Sequence, residues 1–77
     1  MSNYAPFPNR ETVRRIREQF PAGTRIKLVE MDDPDQRMVP GLQGTVTGVD
    51  DAGSLMVNWD NGSTLSVIYG VDRVRKL

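Results

Sequence analysis

The run Asp60-Asn61-Gly62 lies between Leu55-Met-Val-Asn-Trp59 and Thr64-Leu-Ser-Val-Ile68, and it constrains this chain more than any other feature. Asn and Gly both tolerate the positive φ of a tight primed turn, so Asn-Gly between two such runs marks a β-hairpin. On the entering arm Leu55, Val57 and Trp59 alternate with Met56 and Asn58, which puts the first three on a buried face and the other two opposite. The returning arm reads as a strand with Leu65 and Ile68 turned to the core.

The rest of the sequence supplies strands to pair with this hairpin. Thr24-Arg-Ile-Lys-Leu-Val-Glu30 alternates, with Ile26 and Leu28 on one face and Arg25 and Lys27 on the other. In Gly44-Thr-Val-Thr-Gly-Val49 the apolar Val46 and Val49 stand three apart, and Gly48 between them predicts a bulge that lets both face inward. Asp50-Asp51-Ala52-Gly53 and Gly70-Val71-Asp72 read as turns, Arg73-Val-Arg-Lys-Leu77 as a last short strand, and Met31 to Gly41 as a polar loop with two prolines. Five short strands with close turns predict a small barrel or a strongly bent sheet. Closure hides the pairing edges that short strands would otherwise expose.

A helix precedes the strands. Val13, Ile16 and Phe20 make one apolar stripe over residues 10–19, Asn9 is placed to cap it, and Pro21 and Gly23 end it. Glu11 with Arg15 and Arg14 with Glu18 can pair across one turn. Ten residues do not hold a helix alone in water, so the stripe must dock on the strands. Residues 1–8, with Pro6 and Pro8, read as a flexible arm, and residues 9–77 as one domain. At 77 residues the chain buries only about 60% of its unfolded surface, so nearly every apolar side chain is needed inside. The expected core is Ile16, Phe20, Ile26, Leu28, Val46, Val49, Leu55, Val57, Trp59, Leu65, Ile68 and Val74.

Composition then narrows the chemistry. The chain has no Cys and no His, which removes the thiolate ligand, the commonest general base and the commonest metal ligand. Ten basic residues balance ten acidic ones, without the basic excess usual in a dedicated nucleic-acid binder. No stretch approaches the roughly 20 apolar residues of a membrane span. The first eight residues lack the basic and apolar regions of a signal peptide, and a cytoplasmic protein is expected.

The possible sites are few. Glu30, Asp32, Asp33 and Asp35 cluster in one loop and Asp50 and Asp51 in a turn, but Arg37 breaks the calcium-loop pattern and no apolar surround raises a carboxyl pKa. Ser54, Ser63, Thr64 and Ser66 have no His to activate them. No enzyme, no metal and no cofactor is expected. Arg10, Arg14 and Arg17 share a helix face, and with Arg25 and Lys27 they could form a basic patch for nucleic acid. Tyr69, Met56 and Met38 could instead offer soft or aromatic contact area to a protein partner.

As a set, several motifs resemble one bacterial family. They are Gly41-x-x-Gly44-Thr-Val46, Val49-Asp-Asp-x-Gly53, Val57-x-Trp-Asp-Asn-Gly-Ser63 and Leu65-x-x-Ile68-x-Gly70-x-Asp72. With Phe20-Pro-Ala-Gly-Thr24 and Met31-Asp-Asp-Pro34 they cover about residues 13–77. The pattern is similar to the domain-of-unknown-function family 4314, in which Tyr69 stands where proline is usual and Val74 where phenylalanine is usual. The resemblance implies an SH3-like barrel, often encoded in Gram-positive bacteria, their phages and mobile elements, and it brings no activity and no assigned site. The expectation is a mostly β, five-stranded SH3-like barrel with one N-terminal helix. Its leading role is a non-enzymatic module for an unknown protein partner, with nucleic-acid binding as the alternative.

Overall fold

Asn9 starts the helix as its composition suggests: its Oδ1 accepts from the Thr12 N–H at 2.8 Å, capping α1 (Arg10–Gln19). At the other end the Phe20 N–H donates to the Ile16 carbonyl at 2.9 Å. Val13 is buried, and Ile16 and Phe20 pack against the core from its rim. The computed structural model describes residues 8–31 and 37–77. The first seven residues of the expected arm, with Tyr4 and Phe7, therefore lie outside the described residues, as do Asp32, Asp33 and Asp35. No helix among the described residues is long and apolar enough to cross a membrane.

Four antiparallel strands follow: β1 (Arg25–Glu30), β2 (Gln43–Val49), β3 (Leu55–Trp59) and β4 (Arg73–Lys76). They form one sheet in the order β3-β2-β1-β4. The register shifts between Val46 and Gly48, so the bulge predicted at Gly48 is present. One face carries Ile26, Leu28, Val46, Leu55, Val57 and Trp59, which form the buried core together with Met38 and Val67. Gly44 is required on that face, because a Cβ there would stand 2.8 Å from the Trp59 ring. The other face carries Arg25, Lys27, Thr45, Met56 and Asn58.

The hairpin differs from expectation in its turn and in its return. Gly62 N–H donates to the Trp59 carbonyl at 3.0 Å and Trp59 N–H to the Ser63 carbonyl at 2.9 Å, so the loop has three residues, Asp60 to Gly62, rather than two. Gly62 takes the left-handed conformation this loop needs, with φ 90°. Asn61 serves through its side chain, accepting from the Ser63 N–H and donating to the Arg37 carbonyl, both at 3.0 Å.

Residues 64–68 are not a regular strand. Leu55 and Val67 exchange both backbone bonds, at 3.0 and 2.9 Å, but this is a single bridge. The missing rung joins Val57 to Leu65. Its two Leu65 groups are taken elsewhere: the carbonyl accepts from the Trp59 indole Nε1–H at 2.9 Å and the N–H donates to Ser63 Oγ at 3.3 Å. Leu65 and Ile68, expected in the core, are 43% and 45% exposed, and Val67 is buried in their place. The sheet is therefore an open one of four strands with a helix, not a closed five-stranded barrel.

The helix docks at the β2–β3 end of the sheet. Pro8 and Ile16 lie so close over Gly53 that a Cβ there would meet them at 2.9 and 3.2 Å, and Gly53 has φ +80°. Arg17 fastens the same place through the Val49 carbonyl at 3.3 Å and Asp51 Oδ1 at 3.0 Å.

Candidate functional site

A groove of about 340 Å³ opens between the C-terminal half of α1 and the loop that leads into β4. The helix contributes Ile16 and Phe20, the loop Val67, Ile68 and Tyr69, and β4 contributes Val74. Leu55 lines it from the start of β3, and Gln19, Asp72 and Arg73 supply its polar groups. The loop owes its shape to local bonds. Val71 and Asp72 N–H groups both donate to the Ile68 carbonyl, at 3.1 and 3.0 Å. The Ile68 N–H donates in turn to Asp72 Oδ2 at 2.8 Å. Gly70, at φ 78°, allows the tight reversal. With its backbone folded on itself, the loop turns side chains outward: Ile68, Tyr69 and Val71 are 45%, 47% and 64% exposed. That is a concentration of exposed apolar surface beside an apolar groove.

The three residues expected to touch a protein partner do not share a surface. Tyr69 lines the groove. Met56 is exposed on the opposite face of the sheet, in the β3 alternation that buries Leu55 and Val57. Met38 is 4% exposed and belongs to the core, which corrects its reading as a soft surface contact.

The five basic residues also divide. Arg10, Arg14 and Arg17 line a second, larger hollow of about 550 Å³ with Pro8, Val13 and Asp51. Arg14 is held between Glu11 and Glu18, and Arg17 by Asp51. Arg25 and Lys27 lie on the outer face of the sheet. Arg25 grips Asp60 with both terminal nitrogens, at 2.8 and 2.7 Å, and reaches Thr45 Oγ1 at 3.0 Å. That hydrogen-bonded fork holds the Asp60 carboxyl below the usual aspartate range and raises the Arg25 guanidinium above its own. Among the described residues Arg10 and Lys27 make no ion pair.

Among the described candidate carboxylates, Asp51 pairs with Arg17, Glu30 stands near Arg73, and Asp50 serves its own turn. Asp50 Oδ1 accepts from Ala52 and Ser54 N–H groups at 3.0 and 2.9 Å, which shapes the β2–β3 turn. Among the described residues no three of His, Cys, Asp and Glu converge as a metal-binding group.

The family model described as Domain of unknown function (DUF4314) matches residues 9–77. The chain belongs to this family. No curated protein and no solved structure matches it. The DUF4314 match begins at the helix cap, Asn9, and runs through β4, so it takes in every residue that lines the groove. In this DUF4314 domain Ile16, Phe20 and Val74, expected in the interior, pack against the core from its rim and also line the groove, whereas Ile68, expected there too, is exposed. Only Ile68 has a local signal for this placement: in the Ile68-Tyr-Gly-Val71 run apolar residues flank a turn glycine and cannot all turn inward.

Proposed function

We propose that this domain is a non-enzymatic interaction module that binds a protein partner in the groove between α1 and the Val67–Val74 segment. The observation that carries this reading is the exposure of Ile68, Tyr69 and Val71 beside a concavity floored by Leu55 and Val67. An apolar side chain from a partner would cover this surface and remove it from water, at roughly 25 cal/mol per Å² buried. Gln19, Asp72 and Arg73 give the rim the polar groups that orient such a contact. Nucleic-acid binding is less favoured, because its five basic residues fall on two separate surfaces and Arg14, Arg17 and Arg25 already hold carboxylates.

Site-specific photo-crosslinking in the native host tests the reading. A photoreactive residue at position 68 is expected to trap one protein, and one at position 58, on the outer sheet face, is expected not to. Tyr69→Glu should abolish the adduct formed from position 68. Tyr69 is about half exposed and lies outside the buried core, so the charge does not threaten folding. Equal adducts from both positions, or none from 68, would overturn the proposal.

A further inference from the structure

The groove ends at a strand edge, and the two features together specify how a partner would bind. β4 is the last strand of the sheet, with β1 on one side. Leu77 N–H donates to the Arg25 carbonyl at 3.2 Å, so Leu77 and, two residues back, Arg75 direct their backbone groups toward β1. Leu28, opposite Val74, spends its own N–H and carbonyl on Leu42 and Gly41, across the sheet. Val74 and Lys76 therefore aim their N–H and C=O groups away from the sheet. Among the described residues no backbone partner meets them. Arg73 and Val74 belong both to this edge and to the groove.

The charge of the edge says what can pair with it. Its sequence is Arg73-Val-Arg-Lys76. Arg73 stands 3.8 Å from Glu30, Lys76 lies 5.4 Å from the centre of the Phe20 ring, and Arg75 makes no ion pair among the described residues. A second copy pairing antiparallel through β4 would set cations beside cations, which destabilises a sheet. Basic residues on an exposed edge also discourage indiscriminate strand addition. They leave it open to a strand of the opposite charge.

Resting on the groove reading above, we propose that the partner is an extended acidic segment that joins the sheet as a strand along β4. Directly opposed residues of paired strands share a face. The residue opposite Val74 then stands on the groove side and is apolar, and its neighbours stand on the side of Arg73 and Arg75 and are acidic. Backbone bonds to Val74 and Lys76 supply the docking, and the groove supplies the selection of the inserted side chain.

The test uses the full chain and two ten-residue peptides, one alternating Val with Glu and the other Val with Lys. In an NMR titration the Glu peptide is expected to shift the Val74 and Lys76 amides and slow their hydrogen exchange. The Arg75 and Leu77 amides, already bonded to β1, should change little. The Lys peptide should bind at least about tenfold more weakly, as several cross-strand charge pairs reverse sign. Methylating alternate amide nitrogens of the Glu peptide should cost about tenfold in one phase and little in the other, since only one phase faces the edge. Arg75→Glu, at an exposed site, should narrow the preference for the acidic peptide. Shifts confined to Ile16, Ile68 and Tyr69 would overturn strand addition and leave the groove reading standing. No response to the Glu peptide at about millimolar concentration would also overturn strand addition, while cross-linking at position 68 decides the groove separately. Equal binding of the two peptides would overturn the acidic partner.

Discussion

Asp60 opens the hairpin loop and also clamps Arg25 through both carboxylate oxygens. It thus ties the turn after β3 to β1 across the intervening strand. The sign of its pH effect follows from the direction of its shift. Folded Asp60 releases its proton more readily than an ordinary aspartate, whose pKa is about 3.9. Above that value both states are ionised and the full contribution of the fork is present. As the pH falls below it, the unfolded chain takes up the proton first and the contribution drains away, ending once the pH passes the lowered folded value. Urea unfolding of wild type and Asp60→Asn, followed from about pH 6 to about pH 2, should therefore show a stability gap that narrows in this window. The gap itself is small, since both side chains are substantially exposed. A gap that stays constant through the window would contradict the fork. The role of Asp60 was not legible from its neighbours, because Arg25 lies far away in sequence and only the strand register brings the two together.

At the scale of elements, the helix, its cap, the bulge at Gly48 and the facing of three strands could all be read from the chain. Each depends on residues within a few positions of one another, such as Asn9 with Thr12, or Val46 with Gly48. The returning arm of the hairpin could not be read, because its fate hangs on a single indole. Trp59 lies across Gly44, and from there its Nε1–H takes the Leu65 carbonyl that Val57 would have bonded. The groove inherits the same difficulty: its walls come from the two ends of the chain, and their meeting depends on how the helix docks. Substitution can test the altered facing of the arm. Val67→Ala removes buried methyl groups and should cost about 2 kcal/mol. Leu65→Ala, although it deletes more carbon, should cost less than about 1 kcal/mol because Leu65, at 43% exposure, leaves much of its side chain in water. Chemical denaturation of the two variants decides the matter by their order, and a larger loss for Leu65→Ala would place Leu65 in the core after all.

The described residues are tied by many backbone bonds on one side of the molecule and by few on the other. β1 and β2 are flanked by strands on both sides, and Ile26, Leu28 and Val46 are its most deeply buried side chains. The segment from Ser63 to Ile68 holds β3 through the Leu55–Val67 bridge and the bond from Trp59 to Ser63, with the rung between them missing. It also carries Ile68, one wall of the groove. A wall attached by few backbone bonds can open without the rest of the sheet, and sites that adapt to a partner are drawn from such regions. Native-state hydrogen exchange should separate the two parts. The amides of Ile26, Leu28 and Val46 should exchange only by global unfolding, with a steep dependence on denaturant. The Val67 amide, although bonded to the Leu55 carbonyl at 2.9 Å, should exchange faster and with little dependence on denaturant. Binding in the groove would then slow Val67 more than Ile26, because a ligand that holds the wall in place suppresses the local opening directly. If Val67 instead exchanges as slowly as Ile26, the segment unfolds only with the whole sheet, and the groove is a fixed feature of the fold.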